Sequence, residues 1–285
     1  MPRRTSTLIV LLGTALTTLF NVTLAADAQT PSELVVCADR DNLPFSNDKL
    51  EGFENKIASL IAQELDASLR YTWNAPPRGF RPRMLAAGDC NLVIGVPSEF
   101  PGLSVTRPYY ASTYVFVSKR ERNLDLRSFD DPRLRGLKIG LQAIGAEGAN
   151  TPPASALARR GLSENIVGYS MWGEADERDP QSRIIDAVAQ GEIDVALVWG
   201  PLAGYFAKRH GDRLVLTPVA ADPQMPALTF SYHISVGASS KGADKFTARL
   251  QAALDRKQQD IQAILNDYGI PLVRGASGST LSATP

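Results

Sequence analysis

Histidine and cysteine are both scarce: this chain of 285 residues has two of each. Two cysteines exclude a disulfide scaffold, a four-thiolate zinc site and an iron–sulfur centre. The histidines, His210 and His233, stand in neither an HxH nor an HExxH arrangement, which argues against a histidine zinc site. No GxSxG elbow is present to carry a serine nucleophile. The glycines of Gly145-Ala146-Glu147-Gly148 lack both the full dinucleotide fingerprint and a Walker lysine. Charge of one sign is lacking too. Lys and Arg number 30 against 30 Asp and Glu, with no dense basic block. Nothing therefore draws the chain as a whole to nucleic acid or to an anionic membrane. Beyond the first 30 or so residues no apolar run is long enough to span a bilayer.

What is present begins with a leader. Arg3 and Arg4 precede an apolar stretch from Leu8 to Phe20, and small residues follow at Ala25, Ala26 and Ala28. This layout predicts a secretory signal peptide over residues 1–28, with no membrane insertion after cleavage. Export changes the meaning of the cysteines, because an oxidising compartment permits a disulfide. Cys37 ends the first strand of the exported chain and Cys90 begins another. A bridge is feasible if those strands are sheet neighbours with Cα atoms within about 7 Å. The alternative is two separate buried thiols.

Hydrophobic periodicity gives the organisation. Leu34–Cys37 reads as a strand. Phe53, Ile57, Leu60, Ile61 and Leu65 recur at helical spacing and make one apolar face. Leu69–Trp73 alternates as a strand. Arg81–Ala87 is a short helix stopped by Gly88, and Asn91–Gly95 is again a strand. A second unit repeats the order: strands at Leu137–Leu141, Ile166–Tyr169, Val195–Trp199 and Leu214–Pro218, with helices between them. Leu228–Val236 reads as one long strand, followed by helices near Ala243–Leu254 and Gln258–Tyr268. The repeated βαβ order predicts an α/β chain of two lobes. The first covers 32–117 plus 230–273, the second 120–225, and a Gly/Ser/Ala/Thr-rich tail occupies 274–285. Two crossings, near Val117–Lys119 and Pro226–Phe230, would join two mixed sheets by a two-strand hinge over a cleft, and clefts between lobes are favoured ligand sites.

Loops after parallel strands gather at one sheet edge. Aromatic and basic residues occur there: Phe45, Trp73, Arg78, Phe80, Arg107, Tyr109 and Trp199. They predict a pocket with aromatic walls and one or two guanidinium groups suited to an anion. Asp39, Glu54 and Gln142 are the polar candidates for the same cleft. Core packing is the competing reading for Phe45, Phe80 and Tyr110. Asp39, Asp41, Asp48 and Glu51 offer oxygen ligands but lack EF-hand spacing, so a solvated turn is the simpler reading and no metal site is assigned.

Longer motifs carry a resemblance. Glu51-Gly52-Phe53-Glu54-Asn55, Arg107-Pro108-Tyr109-Tyr110 and Gly191-Glu192-Ile193-Asp194-Val195-Ala196 resemble segments of type II periplasmic solute-binding proteins. Cys37-Ala38-Asp39 with Asn42-Leu43-Pro44-Phe45-Ser46-Asn47, together with Arg78-Gly79-Phe80 and Thr106-Arg107-Pro108-Tyr109-Tyr110, resemble the MxaJ/XoxJ-like branch associated with quinoprotein alcohol dehydrogenases. The resemblance implies a periplasmic, non-catalytic accessory protein without a cofactor of its own. It implies as partners a pyrroloquinoline-quinone-dependent dehydrogenase of methanol oxidation and its cytochrome c. Amino-acid binders of this fold carry an Arg in a Thr-x-x-Arg segment, a Gly-Thr-Thr nest and an amine-binding Asp. The matching stretches here are Glu99–Ser104, Ala143-Ile144-Gly145-Ala146 and Val198-Trp199-Gly200, so both halves of that clamp are missing. The competing expectation is a binding module that delivers a small anionic or aromatic solute to an ABC transporter.

Overall fold

The computed structural model describes residues 33–74, 81–143, 151–173, 177–239 and 243–273. The predicted leader and tail lie outside them. The chain opens with β1 (Glu33–Asp39), a small hairpin of β2 (Asp41–Asn42) and β3 (Ser46–Asn47), then α1 (Phe53–Glu64) and β4 (Ser68–Asn74). It continues with α2 (Arg81–Ala87), β5 (Leu92–Pro97), β6 (Leu103–Val105) and the long β7 (Tyr110–Lys119). The second unit holds β8 (Ile139–Ala143), α3 (Pro152–Arg159), β9 (Ile166–Ser170), α4 (Arg183–Gln190), β10 (Val195–Trp199), α5 (Gly200–Ala207) and β11 (Leu214–Pro218). The chain then returns through β12 (Ser231–Ser239), α6 (Asp244–Arg256) and α7 (Gln258–Asp267).

Local chemistry explains the elements nearest the cleft. Phe53, Ile57 and Ile61 of α1 are fully buried, as their spacing predicts. The helix start is satisfied by Asn55, whose Oδ1 accepts from the backbone N–H of Gly52 and of Asn47, both at 3.1 Å. Gly52 has no room for a side chain, since a Cβ there would meet the Phe45 carbonyl oxygen at 2.1 Å. In β1 the side chains alternate. Leu34, Val36 and Ala38 pack with α1, while Val35 and Cys37 face the cluster of Leu85 and Cys90. Cys37 and Cys90 are joined as a disulfide with Cα atoms 5.5 Å apart. The neighbouring strands required for it are there, because β1 pairs with β5 at Val36 and Leu92.

The sheet order is β4-β1-β5-β12-β7-β10-β8-β9, with β6 on β12 and β11 on β7. β1 runs parallel to β4 and β5, and β8 runs parallel to β9 and β10. β7 and β12 are the antiparallel strands between these two groups. Tyr110–Thr113 of β7 pair with β12, whereas Tyr114–Ser118 pair with β10. The neighbours thus change between Thr113 and Tyr114, earlier than the Val117–Lys119 crossing read from the sequence, because β7 continues as an inner strand of the second group. β12 begins at Ser231 rather than Leu228, since Leu228 is held in a turn by its N–H to the Met225 carbonyl. The two faces of the second strand group carry separate cores: α4 and α5 cover Ala196 and Val198, and α3 covers Val195 and Leu197. α6 and α7 pack in the core that contains α1, so the last third of the chain joins the first sheet group. Among the described residues no helix is long and apolar enough to cross a membrane.

Candidate functional site

A cavity of about 280 Å³ lies where β7 changes neighbours. Asn42, Phe45, Glu54, Gly95 and Pro97 line it from the hairpin, α1 and β5. Tyr110 and Tyr114 come from β7, Trp199 from the end of β10, and Tyr232 and Ile234 from β12. The rings pack edge to face. Trp199 meets Tyr114 at 5.4 Å and Tyr232 at 5.7 Å between ring centroids. Phe45 meets Phe53 at 5.4 Å, so it lines the cavity and also packs on the core. Trp199 is steered by its own backbone, whose N–H donates to Gln142 Oε1 at 2.8 Å. Gln142 Nε2 in turn donates to Met171 Sδ.

The described lining residues of the cavity are poor in charge. Glu54 is the only Asp, Glu, Lys, Arg or His among its described lining residues. Glu54 is buried, and its carboxylate lies over Gly95, where a Cβ would fall 1.9 Å from Oε1. Gly95 has φ +79° and sits at a bulge, since Ile94 pairs with Val236 and Val96 with Ser235. The first turn of α1 favours a carboxylate at Glu54 through the helix dipole. Burial pushes the Tyr114 phenol up, with Tyr232 as the lesser cause, and burial pushes Tyr232 up as well. Both phenols are therefore neutral at physiological pH.

The cavity is bridged on the hairpin side. Leu43 from the β2–β3 turn is buried in the second group's core with Met171 and Ile184. Gln181 Nε2 donates to the Asp41 carbonyl at 3.0 Å. On the other side, Ser112 Oγ donates to the Pro271 carbonyl at 2.6 Å, which ties the end of the described chain to β7.

The structure brings together Phe45, Glu54 and Trp199 in the cavity wall, with Gln142 behind Trp199. Asp39 is buried outside the wall and accepts from Asn42 Nδ2 at 3.3 Å. Trp73 stacks on Tyr71 with ring centroids 4.8 Å apart. Tyr109 packs against the first core, while its neighbour Tyr110 lines the cavity. Arg107 stands away from the cavity and pairs with Asp255 on α6 at 2.6 Å. The expected guanidinium for an anion is therefore not supplied by Arg107. Arg78 and Phe80 lie outside the described residues, as does the stretch Ile144-Gly145-Ala146. Sequence reasoning missed Tyr114, Tyr232 and Gly95. Their signal is aromatic residues within strands that cross between lobes, and a glycine inside a strand.

A second hollow of about 410 Å³ lies at the far end of β7, lined by Lys119, Arg120, Glu121, Ala189, Asp212 and Arg213. Its charges are largely engaged: Lys119 pairs with Glu121 at 3.6 Å, and Arg120 Nε donates to the Asp212 carbonyl at 2.6 Å. Among the described residues no group of three or more side chains could hold a metal ion. Asp48 pairs with Arg40 at 3.7 Å, and Glu51 accepts from Asn47 at 2.8 Å, which engages two of the acidic side chains near the hairpin.

Comparison with known proteins gives a consistent set of relatives. No family model matches the chain. Protein MoxJ of Methylorubrum extorquens is 28% identical over 297 residues, covering 95% of this chain and 96% of that protein. Protein MoxJ of Paracoccus denitrificans is 29% identical over 253 residues, covering 85% and 90%. The crystal structure of the periplasmic binding protein XoxJ from Methylobacterium extorquens AM1 is 33% identical, with a TM-score of 0.68, and covers 85% of this chain and 100% of that one. The architecture is accordingly the two-lobed type II periplasmic binding protein fold.

Proposed function

The chain belongs to the XoxJ family of periplasmic binding proteins, and from that premise we propose that it is a non-catalytic periplasmic accessory protein of a quinoprotein alcohol dehydrogenase. It binds the dehydrogenase or assists its maturation, with the cytochrome c as a second contact. The lobes in this reading meet at Thr113–Tyr114 and near Phe230. The observation that carries the proposal is the cavity wall. An amino-acid transport protein of this fold needs a cation for the ligand carboxylate, and the described wall offers aromatic rings and no Lys or Arg. Among its described lining residues the two-lobed body thus shows no cation of the kind that holds an amino-acid carboxylate.

The test is capture from periplasmic extract with the full chain as bait. The dehydrogenase is the expected prey, and deletion of the gene should lower dehydrogenase activity. A bait that retains no dehydrogenase, joined to unchanged activity in the deletion, overturns the proposal.

A further inference from the structure

The two lobes are fastened to each other beside the cavity. We propose that the β2–β3 hairpin is a latch, with Leu43 as its tongue, that holds the lobes closed with no solute between them. The inference goes beyond the dehydrogenase reading and does not rest on it.

The tongue is held firmly by the first lobe. Leu43 and Pro44 lie in the turn between β2 and β3. The Phe53 N–H donates to the Pro44 carbonyl at 2.8 Å, and the Glu54 N–H donates to the Phe45 carbonyl at 2.9 Å. The hairpin thus satisfies two of the N–H groups that the first turn of α1 leaves without helical partners. Ser46 Oγ donates to the Asp39 carbonyl at 2.8 Å, and the Asp48 N–H donates to the Arg40 carbonyl at 2.9 Å. These bonds make the hairpin move with β1 and α1.

The seat belongs to the other lobe. Leu43 is 6% exposed, and every other member of its buried cluster comes from β7 or from the second unit, Met171, Ile184 and Leu202 among them. Gln181 Nε2 adds a hydrogen bond to the Asp41 carbonyl from the same lobe. Parting the lobes would return Leu43 and its seat to water. Apolar burial needs neither a charge nor a third component, so this contact favours closure by itself. A binding protein that waits open takes its closing free energy from contacts that the solute makes with both lobes. Asn42 and Phe45 flank the Leu43–Pro44 turn and line the cavity, so the latch also fixes part of the cavity wall.

The pivot lies at α5. A Cβ at Gly200 would fall 2.5 Å from the Thr113 carbonyl oxygen, and one at Gly204 would fall 1.9 Å from that of Gly269. Tyr205 stacks on Tyr268 with ring centroids 5.5 Å apart, and the Tyr268 hydroxyl donates to the Glu51 carbonyl. Backbone on backbone at the strand crossing leaves rotation there as the way to open, and Leu43 opposes it.

Pulsed electron paramagnetic resonance of the purified full chain, with no solute added, tests the latch. Spin labels go on Lys56→Cys of α1 and Gln190→Cys of α4, both exposed. Cys37 and Cys90 are bonded to each other and take no label. The labelled parent should show one short interlobe distance. Leu43→Asp places a charge where the seat is apolar, and it should lower the ratio of closed to open chains by about a hundredfold or more, bringing in a longer distance. Leu43→Ala should act in the same direction by about tenfold, and it serves as the test if Leu43→Asp fails to fold. Leu50→Ala, an exposed leucine in the next loop, should leave the distance unchanged. A parent spread over long distances, a Leu43→Asp chain with the parent's single short distance, or an equal response to Leu50→Ala would overturn the proposal. None of these outcomes depends on whether the dehydrogenase is captured.

Discussion

In the first lobe, Cys37 and Cys90 bind β1 to the entrance of β5 within a small apolar cluster under α2. In the second, Arg160 does comparable work with charge. Its guanidinium donates two hydrogen bonds to the Asp222 carboxylate, both at 2.8 Å, and a third to Asp130 Oδ1 at 2.8 Å. The Arg160 and Asp222 side chains are almost completely buried, and Arg160 also lies over the Phe129 ring. Both devices pin a loop to its lobe's core. They differ in what can undo them: reduction loosens the first, and protonation or loss of one partner loosens the second. The cleft lies between a half with a covalent staple and a half with an ionic one, so the two walls can be weakened separately.

The largest expected effect comes from removing the covalent staple. The disulfide closes a loop with a sequence separation of 53. Loop-closure entropy for that length gives about 4 kcal/mol. The double variant Cys37→Ala, Cys90→Ala should lose about that much in urea unfolding, and a reductant should reproduce the loss in the parent chain.

Asp222→Asn follows, at about 3 kcal/mol, because it leaves Arg160 buried with only Asp130 as its charge partner. Its pH dependence separates it from the cysteine variant. Arg160 holds the Asp222 carboxyl below the usual carboxylate range, against the opposing effect of burial. The folded pKa is thus below the unfolded value of about 3.9, and the stabilisation is fully present above that value. It is lost as pH falls through the folded pKa. The stability gap between parent and Asp222→Asn should therefore close in acid, while the gap for the cysteine variant stays open. Parallel gaps at all pH values would show that Asp222 contributes through shape and not charge.

These staples were unequally legible in the sequence. Cys37 and Cys90 could be paired once their strands were placed, because β1 and β5 follow from short apolar runs. α1 was legible from its 3.6-residue spacing, β4 from its alternation, and the stop at Gly88 from glycine's ease at positive φ, here +88°. Arg160–Asp222 was not legible, since the partners are far apart in the chain and nothing local marks either as buried. The cavity was half legible for the same reason. Phe45, Glu54 and Trp199 stand at element ends, where the topology directs attention. Tyr114 and Tyr232 sit inside strands, and an aromatic residue in a strand reads as core until the pairing of β7 with β12 and β10 places it at the crossing. β6, three residues long, has too little pattern to be seen.

Arg107 is where the expectation and the fold part most clearly, and its removal should have the smallest effect. Its position beside the Pro-Tyr motif places it near the cleft in sequence, yet α6 offers both Gln251 and Asp255 on the other side. The Arg107 side chain is 71% exposed and its pair with Asp255 is a surface one. Such pairs contribute about 0–1 kcal/mol, less at high salt. Arg107→Ala should therefore change unfolding stability by no more than about 0.5 kcal/mol, and added salt should shrink that difference. A guanidinium that swings into the cavity on ligand binding would behave differently: Arg107→Ala would then alter affinity for anionic probes while leaving stability the same. Titration of the variant with benzoate distinguishes the two, and an unchanged isotherm fixes Arg107 as part of the outer surface of the first lobe.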